Sequence, residues 1–201
     1  KHPQLRYHVI KSLNNLNKKY LDINIPEDAI IKAIKIESRA YYTFLAIKDV
    51  QPHRYFAPRE LLYRALDEKM DHTLERIFRL SGLIHSQLDM YGAYLGLKSQ
   101  QEEIQSGAIE FLDNVLREPV KKWLFPIIDT LELAEKVNRG KAFFDITVDS
   151  YKEGLLTLLE GEDEWLKGCA IYSVSDQCPN ELRKRVMKFT EHSNTFLRET
   201  A

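Results

Sequence analysis

The sequence predicts an all-α protein in which helical hairpins stack against one another. Apolar residues recur at steps of three and four through most of the 201 residues, which places them on one face of successive helices. No β-type alternation of comparable length interrupts this pattern. Glycine and proline are scarce, at 8 and 7 residues, and this scarcity favours long regular elements over a turn-rich β fold.

The first half of the chain is predicted to form five helices. Pro3 suits the first turn of a helix, where its missing N–H is not needed. Glu27 and Asp28 open the second helix, because acidic side chains are favourable at the positive end of a helix dipole. Two prolines within residues 51–58 mark the first clear break. The predicted boundaries are about 3–20, 25–49, 58–84, 88–97 and 102–116.

The second half is predicted to contain four helices and one irregular insertion. Pro126 falls inside the first of these helices and should kink or split it. Residues 135–148 include Gly140 and the basic segment KVNRGKAF, and we expect them to form a loop. Gly161 is a helix stop and Asp163 an N-cap. The predicted helices cover about 119–131, 150–159, 164–174 and 179–189, and the final residues are expected to fray.

Three of these helices share one spacing of apolar residues. The three sets are Leu5, Val9, Ile10 and Leu13, then Ile104, Ala108, Ile109 and Leu112, then Leu166, Ala170, Ile171 and Val174. A long polar side chain follows the first position each time, namely Arg6, Gln105 and Lys167. Any single amphipathic helix shows such offsets, but three copies beside turns favour a degenerate array of stacked hairpins.

The pattern D-x-W-L-K-x-x-A over residues 163–170 is the form taken by the second helix of a HEAT-type repeat. With LERIFRLSGLIH (74–85) and SGAIEFLDNVL (106–116), it makes the chain resemble the HEAT-like segments attached to bacterial proteins of the nucleotide-translocase (ADP/ATP carrier) type. The resemblance covers roughly residues 59–174. It implies a right-handed α-α superhelix of degenerate HEAT- or armadillo-like hairpins on the cytoplasmic side of a membrane carrier. It assigns no transport or nucleotide-binding residue to this sequence.

Charge and cysteine usage narrow the classes of function. The formal net charge of −1 gives no general electrostatic argument for nucleic acid. Cys169 is predicted to be a core residue and Cys178 a surface thiol, so the two do not indicate a disulfide framework. We therefore expect a reducing, cytoplasmic location, at the inner face of the membrane if the carrier resemblance holds. The chain begins at Lys1 without methionine, and we interpret residues 1–201 as a single domain from a larger protein.

Clustered acidic residues and histidine do not predict an active site. Glu68, His72 and Glu75 share a helical face, but that face lies opposite the apolar stripe and should be solvated. Two carboxylate pairs, Asp71 with Glu75 and Glu110 with Asp113, have Arg76, Arg79 and Arg117 available as partners. Glu37 is expected to be partly buried, although one carboxylate is not a mechanism. We predict no catalytic residue, no cofactor and no metal.

Two basic clusters are the candidate interaction surface. Lys136, Arg139 and Lys141 lie on the predicted loop, where they could face anionic lipid or a protein partner. Arg183, Lys184 and Arg185 form the densest cluster, with Lys188 close behind. An ordinary solvated surface is the simpler explanation of both clusters. Five aromatic residues are predicted to lie in the core, Tyr41, Tyr42, Phe44, Trp123 and Trp165.

The function predicted from these patterns is a non-catalytic scaffold. Stacked helices would form an extended groove that binds a partner protein or a neighbouring domain of the same polypeptide, with no small-molecule substrate. Two alternatives stay open. One is a HEAT-like nucleic-acid-binding or DNA-base-modifying enzyme, which would use Trp165 beside the basic cluster and a carboxylate in a pocket. The other is a helical bundle with a buried metal or cofactor.

Overall fold

The structure is a computed structural model that describes residues 3–20, 25–51, 57–174 and 179–201. Every regular element in these ranges is helical, which confirms the predicted all-α class. The helices are α1 (Pro3–Lys19), α2 (Glu27–Asp49), α3 (Ala57–Ser81), α4 (Gln87–Leu97), α5 (Glu102–Val115), α6 (Val120–Ile128), α7 (Leu133–Phe143), α8 (Tyr151–Glu160), α9 (Glu164–Ser173), α10 (Asn180–Met187) and α11 (Thr195–Thr200), with a 3-10 turn at Lys188–Glu191.

Side-chain caps set several of the helix starts. Ser86 accepts a hydrogen bond from the backbone N–H of Asp89 at the start of α4. Asp163 accepts one from the N–H of Leu166 at 3.0 Å, which confirms its predicted role at the start of α9. Ser150 caps α8 in the same way. These local signals explain why the predicted boundaries of α4, α8 and α9 agree closely with the structure.

The long helices α2 and α3 pack against each other at the centre of the fold. Helices α6, α7 and α8 pack on α2, and helices α1, α4 and α9 pack on α3. The other helices extend these layers, with α5 on α4, α10 on α8 and α11 on α9. The hairpins therefore surround one central pair, and some of the packing joins helices that are distant in sequence.

The core follows the apolar faces of the central pair. Ile34, Tyr42 and Ile47 of α2 are 0% exposed, as are Leu62 and Leu66 of α3. Burying one aliphatic side chain completely contributes roughly 1.5–3 kcal/mol. Because these side chains lie along both helices, the hairpin contributes a large share of the apolar burial that opposes chain entropy.

The loop predicted over residues 135–148 is wrong for most of its length, because Leu133–Phe143 is helix α7. Val137 and Gly140 of α7 are buried. A Cβ at Gly140 would lie 2.9 Å from the Cβ of Tyr42 and closer still to its ring, so glycine is needed where α7 crosses α2. Packing against α2 thus stabilises a helix of 11 residues that contains a glycine and is too short to be stable by itself.

The predicted frayed end is also wrong, because α11 packs on α9. Leu197 is 0% exposed, and Asn194 accepts a hydrogen bond from the N–H of Phe196 at 2.9 Å. Gly168 of α9 lacks the Cβ that would overlap the Phe196 ring. The close approach of α11 to α9 therefore orders residues that carry little sequence signal.

The predicted aromatic core is confirmed at Tyr42 and Trp123 and is wrong at Trp165. The Tyr42 hydroxyl donates a hydrogen bond to the Trp123 carbonyl at 2.8 Å, and Trp123 is 8% exposed. Trp165 is 42% exposed and stacks on Phe196, with ring centroids 5.9 Å apart. Two other predicted core residues are half-buried, Tyr41 and Phe44.

The three sets of shared offsets do not lie in equivalent environments. In the third set Leu166 and Ala170 are at most 2% exposed. In the first set Leu5 and Val9 are 63% and 51% exposed, although Ile10 is buried. The long polar residues also differ in their contacts, since Arg6 binds α2 while Gln105 binds carbonyls just before its own helix. The shared offsets therefore indicate only that each of the three helices is amphipathic. In the structure, each of these helices packs differently.

Two smaller boundary predictions also differ from the structure. α3 ends at Ser81, and Ile84 lies in the following turn. α6 continues through Pro126 without splitting and ends at Ile128, earlier than predicted. A helix this short loses only one main-chain hydrogen bond to the proline, and burial of Pro126 and Leu124 offsets that loss.

Candidate interaction groove

A buried ion cluster positions α1 against the central pair. Glu37 is 2% exposed and accepts hydrogen bonds from Arg76 Nε at 2.9 Å and from Arg6 Nη1 at 3.0 Å. Arg76 is 6% exposed and also donates to the Thr73 hydroxyl at 2.8 Å. A buried charge is costly unless it is paired and hydrogen-bonded. Since Arg6 belongs to α1, Glu37 to α2 and Arg76 to α3, the cluster joins three helices.

A second polar contact joins α1 to the start of α4. Asn14 is 9% exposed, and its amide donates to the carbonyls of Ile10 at 2.9 Å and Arg79 at 3.1 Å. Its own carbonyl accepts a hydrogen bond from the Gln87 side chain at 3.2 Å. These bonds satisfy main-chain carbonyls of α1 and of the end of α3, and they hold α1 beside α3 and the start of α4.

Arg79 is enclosed by aromatic rings at this junction. Its guanidinium lies 5.7 Å from the Tyr7 ring centroid and 5.3 Å from that of Tyr91. Its Nε also donates to the Glu75 carboxylate at 2.8 Å. Stacking on two rings and pairing with a carboxylate fix the side chain and keep it charged. The result is a rigid floor between α1 and α4.

A groove with a volume of about 450 Å³ lies above this floor. Leu88 and Tyr91 form its apolar side and are 76% and 42% exposed. Within the described ranges, the side chains of Asn15, Asn17 and Lys18 have no hydrogen-bond or ion-pair partner. The full lining is Asn14, Asn15, Asn17, Lys18, Phe78, Arg79, Gly82, His85, Ser86, Gln87, Leu88 and Tyr91. The groove therefore combines an exposed aromatic and aliphatic surface with unpaired amides.

A second cleft of about 400 Å³ shares His85 with the groove. Its lining is Glu27, Ile31, Ile84, His85, Asn114, Val115, Arg117, Glu118 and Val120. Burial lowers the pKa of His85, the nearby Arg117 charge lowers it further, and Glu27 opposes the shift. His85 is therefore neutral near pH 7 and offers one ring nitrogen as donor and one as acceptor. His85 thus lines both cavities.

The acidic candidates lie where a solvated helix face places them, with one exception. Glu68 and His72 are exposed, as predicted. Glu75 is half-buried because it pairs with Arg79. The prediction of arginine partners is confirmed for Arg79, which pairs with Glu75, whereas Asp71 binds Lys98, Asp113 binds Lys121 and Arg76 binds Glu37. In the part of the chain that is described, no group of three His, Cys, Asp or Glu residues is arranged to hold a metal ion.

The first basic cluster lies on helix α7 rather than on a loop. Lys136 donates to a main-chain carbonyl of α6 at 2.9 Å, and burial lowers its pKa. Arg139 pairs with Glu135 at 2.9 Å, and Lys141 pairs with Asp149. The carboxylates of Glu135 and Asp149 compensate the charges of Arg139 and Lys141, while the α6 carbonyl binds Lys136 without neutralising it. Two of the three positive charges at this cluster are therefore compensated by described residues.

The second basic cluster lies on α10, which packs on α8. Arg185 pairs with Glu160 of α8, and Arg183 donates to Asn180. Lys184 is exposed. The two basic clusters thus lie on different helices. Helix α7 packs on α2 and α6, and helix α10 packs on α8.

The cysteines offer no catalytic thiol in the described ranges. Cys169 is 1% exposed, which confirms its predicted place in the core. Burial, with the nearby Asp163 charge, raises the pKa of its thiol to about 11, so the thiolate is scarce at neutral pH. Cys178 lies outside the described residues.

Sequence reasoning identified Arg79 only as an ion-pair partner and missed the groove. Its walls come from α1, the end of α3 and the start of α4, which are far apart in the chain. Two signals were present: the amide-rich run Asn14-Asn15-Leu16-Asn17, and an apolar pair three residues apart, Leu88 and Tyr91, on the polar side of a short helix. Neither signal indicates a site until the helices are placed together.

Comparisons of the chain with protein-family models, with curated proteins and with solved structures found no significant match. Among the helices described, none has both the length and the apolar character needed to cross a membrane.

Proposed function

We propose that the protein is a non-catalytic helical scaffold that binds an extended segment of a partner protein or neighbouring domain in the groove between α1 and α4. The observation that carries the proposal is the groove itself. Leu88 and Tyr91 stay exposed beside amide side chains that have no partner within the described structure. Protein interfaces commonly place an aromatic anchor beside polar groups of this kind.

An extended peptide fits the chemistry of the groove. A peptide backbone presents alternating donors and acceptors, and amide side chains such as those of Asn15 and Asn17 supply both. An apolar side chain of the partner would pack on Leu88 and Tyr91. Neutral His85, which lines both the groove and the second cleft, can donate or accept a hydrogen bond. The rigid floor around Arg79 lowers the ordering cost of binding.

Charge further defines the partner. Lys18 lies in the groove without an ion-pair partner in the described residues, whereas the Arg79 charge is compensated by Glu75. None of the described residues that line the groove is acidic. We therefore propose that the bound segment carries an acidic residue close to Lys18 and an apolar residue one or two positions away.

The finer form of the proposal is a HEAT-like scaffold attached to a nucleotide-translocase-type carrier and located in the cytoplasm. Two observations support this form. The sequence resembles such segments over residues 59–174, and Asp163, the N-cap of α9, is the first residue of the D-x-W-L-K-x-x-A repeat pattern. In a simple superhelix each hairpin contacts only its neighbours, so the contacts of α7 with α2 and of α9 with α3 would make this chain a more compact variant of that fold. Membrane spans encoded upstream in the same reading frame would support the carrier association.

The experiment is a selection of displayed peptides followed by binding measurements with the selected sequence. The groove variant is Leu88→Gln with Tyr91→Ala, and the matched control is Met187→Gln with Tyr172→Ala, two residues that are 62% and 53% exposed. We expect binding at least about tenfold weaker for the groove variant and unchanged for the control. Equal binding by both variants, or no selectable peptide, would refute the proposal.

The nucleic-acid alternative is less well supported. Such a site needs uncompensated basic side chains for phosphate contacts. Arg139, Lys141 and Arg185 each pair with a carboxylate. A titration of labelled DNA at low salt separates the two functions, because binding that weakens steeply with added salt would favour the alternative.

A further inference from the structure

We propose that the second cleft binds a small zwitterionic ligand, an α-amino acid with an aliphatic side chain. The cleft has a volume of about 400 Å³, which lies in the range of small-molecule sites. Its described lining combines an aliphatic wall with side chains of both charges, and of these residues only His85 also lines the groove between α1 and α4. The site therefore goes beyond the proposed scaffold function and does not depend on it.

The aliphatic wall is assembled from several parts of the fold. Ile31 stands on α2, Ile84 in the turn after α3, Val115 at the end of α5 and Val120 at the start of α6. Ile31, Ile84 and Val115 are half-buried and pack against the core. The core therefore holds these side chains in place, while part of their apolar surface stays open to a ligand.

Charged side chains of both signs line the same cleft. Glu27 lies in the first turn of α2, and Arg117 and Glu118 lie between α5 and α6. Within the described part of the chain, none of the three forms an ion pair. The Arg117 charge lowers the pKa of His85 and the Glu27 charge raises it, so both charges act on one imidazole. A single ligand with a positive and a negative group compensates both signs together.

The chemistry of the lining assigns each group of the ligand. Arg117 binds the ligand carboxylate, because a guanidinium and a carboxylate match in a fork of two hydrogen bonds. Glu27 and Glu118 bind the ammonium group. Asn114 donates its side-chain N–H to the Glu110 carbonyl at 3.0 Å, which leaves its side-chain oxygen to accept from the ammonium. The end of a peptide chain carries only one of the two charges and leaves the other sign uncompensated, so a free amino acid fits better.

The test is calorimetric titration of the full chain with L-leucine. We expect saturable binding with a dissociation constant below about 1 mM. L-leucinamide lacks the carboxylate, and N-acetyl-L-leucine lacks the ammonium charge, so each should bind at least about tenfold more weakly. Glycine lacks the aliphatic side chain and should also bind at least about tenfold more weakly. Absence of saturable leucine binding, or equal binding of leucine and N-acetyl-L-leucine, would overturn the proposal.

Substitutions locate the ligand in the cleft. Arg117→Gln should weaken leucine binding at least about tenfold and leave leucinamide binding unchanged, because leucinamide has no carboxylate. Glu27→Gln with Glu118→Gln should weaken the binding of both ligands. The matched control is Arg64→Gln, at an arginine outside the cleft whose side chain is 77% exposed, and it should change neither. Leucine binding that survives Arg117→Gln unchanged would contradict the assigned role of the guanidinium.

The groove variant, Leu88→Gln with Tyr91→Ala, separates this site from the peptide groove. It should retain leucine binding, because neither residue lines the cleft. Loss of leucine binding in a groove variant that circular dichroism shows to be folded would place the ligand in the groove and overturn the proposal. Leucine binding in the cleft without any selectable peptide would support this site and refute only the scaffold function.

Discussion

Substituting Glu37 by Gln should destabilise the protein more than any single change at a surface ion pair. Glu37 is 2% exposed and its carboxylate oxygens are bound by Arg76 and Arg6. The substitution removes the negative charge with almost no change of shape. It leaves the Arg76 guanidinium, which is 6% exposed, without a counter-charge.

The magnitude follows from burial. Removing one partner of a buried pair costs about 3–5 kcal/mol, because the remaining charge is neither solvated nor compensated. The Arg6 side chain is 36% exposed, so solvent screens its charge, and Arg6→Gln should cost about 1 kcal/mol or less. The exposed pair Glu160–Arg185 provides the control, and Glu160→Gln should change stability by about 0–1 kcal/mol.

Urea unfolding followed by circular dichroism measures these differences. The expected order of destabilisation is Glu37→Gln, then Arg6→Gln, then Glu160→Gln, with a similar dependence on urea concentration in each case. A double substitution with Arg76→Met should recover part of the loss, because the unpaired buried charge is then absent. If Glu37→Gln cost no more than Glu160→Gln, the cluster would not be the junction that positions α1.

Two further predictions concern single residues. Gly140→Ala should destabilise the protein by about 1–3 kcal/mol, because the new methyl group meets the buried Tyr42 side chain. Gly92 is an exposed helical position with open space around its Cβ, so Gly92→Ala should stabilise the protein by about 0.5–1 kcal/mol. Thermal unfolding measures both changes. Equal effects of the two substitutions would contradict the packing described for α7. The pKa of His85 is lowered in the folded state, so the unfolded chain binds its proton first and stability should fall as the pH drops through about 6.5. Urea midpoints at several pH values should show a smaller fall for His85→Gln, and an identical fall in both proteins would refute the expected protonation.

Local patterns in the sequence predicted most of the helices. The second helix was expected at 25–49 and lies at Glu27–Asp49, because its acidic first turn and its apolar spacing are properties of a few neighbouring residues. The start of α9 was predicted from Asp163 for the same reason. Capping and periodicity depend on residues within one or two helical turns. They can therefore be recognised in the sequence without knowing how the helices pack.

The failures all depend on distant residues. Helix α7 exists because Gly140 allows Tyr42 to pack closely, and that contact joins residues on α2 and α7. Trp165 stays 42% exposed and stacks on Phe196, and that contact joins residues on α9 and α11. Neither contact can be predicted from the local spacing of apolar residues.

The candidate groove depends on tertiary structure in the same way. The bonds that join Asn14 to Arg79 and Gln87 span 65 and 73 residues of the chain. Lys136 and Arg139 were selected by charge alone, and the structure places a carbonyl or carboxylate beside each. The sequence by itself determined the class of the fold and the sites where helices begin, because those follow from interactions within a turn. Only the tertiary structure decided which charges stay uncompensated and where exposed apolar side chains meet, since burial and pairing are properties of surfaces that form after the helices pack.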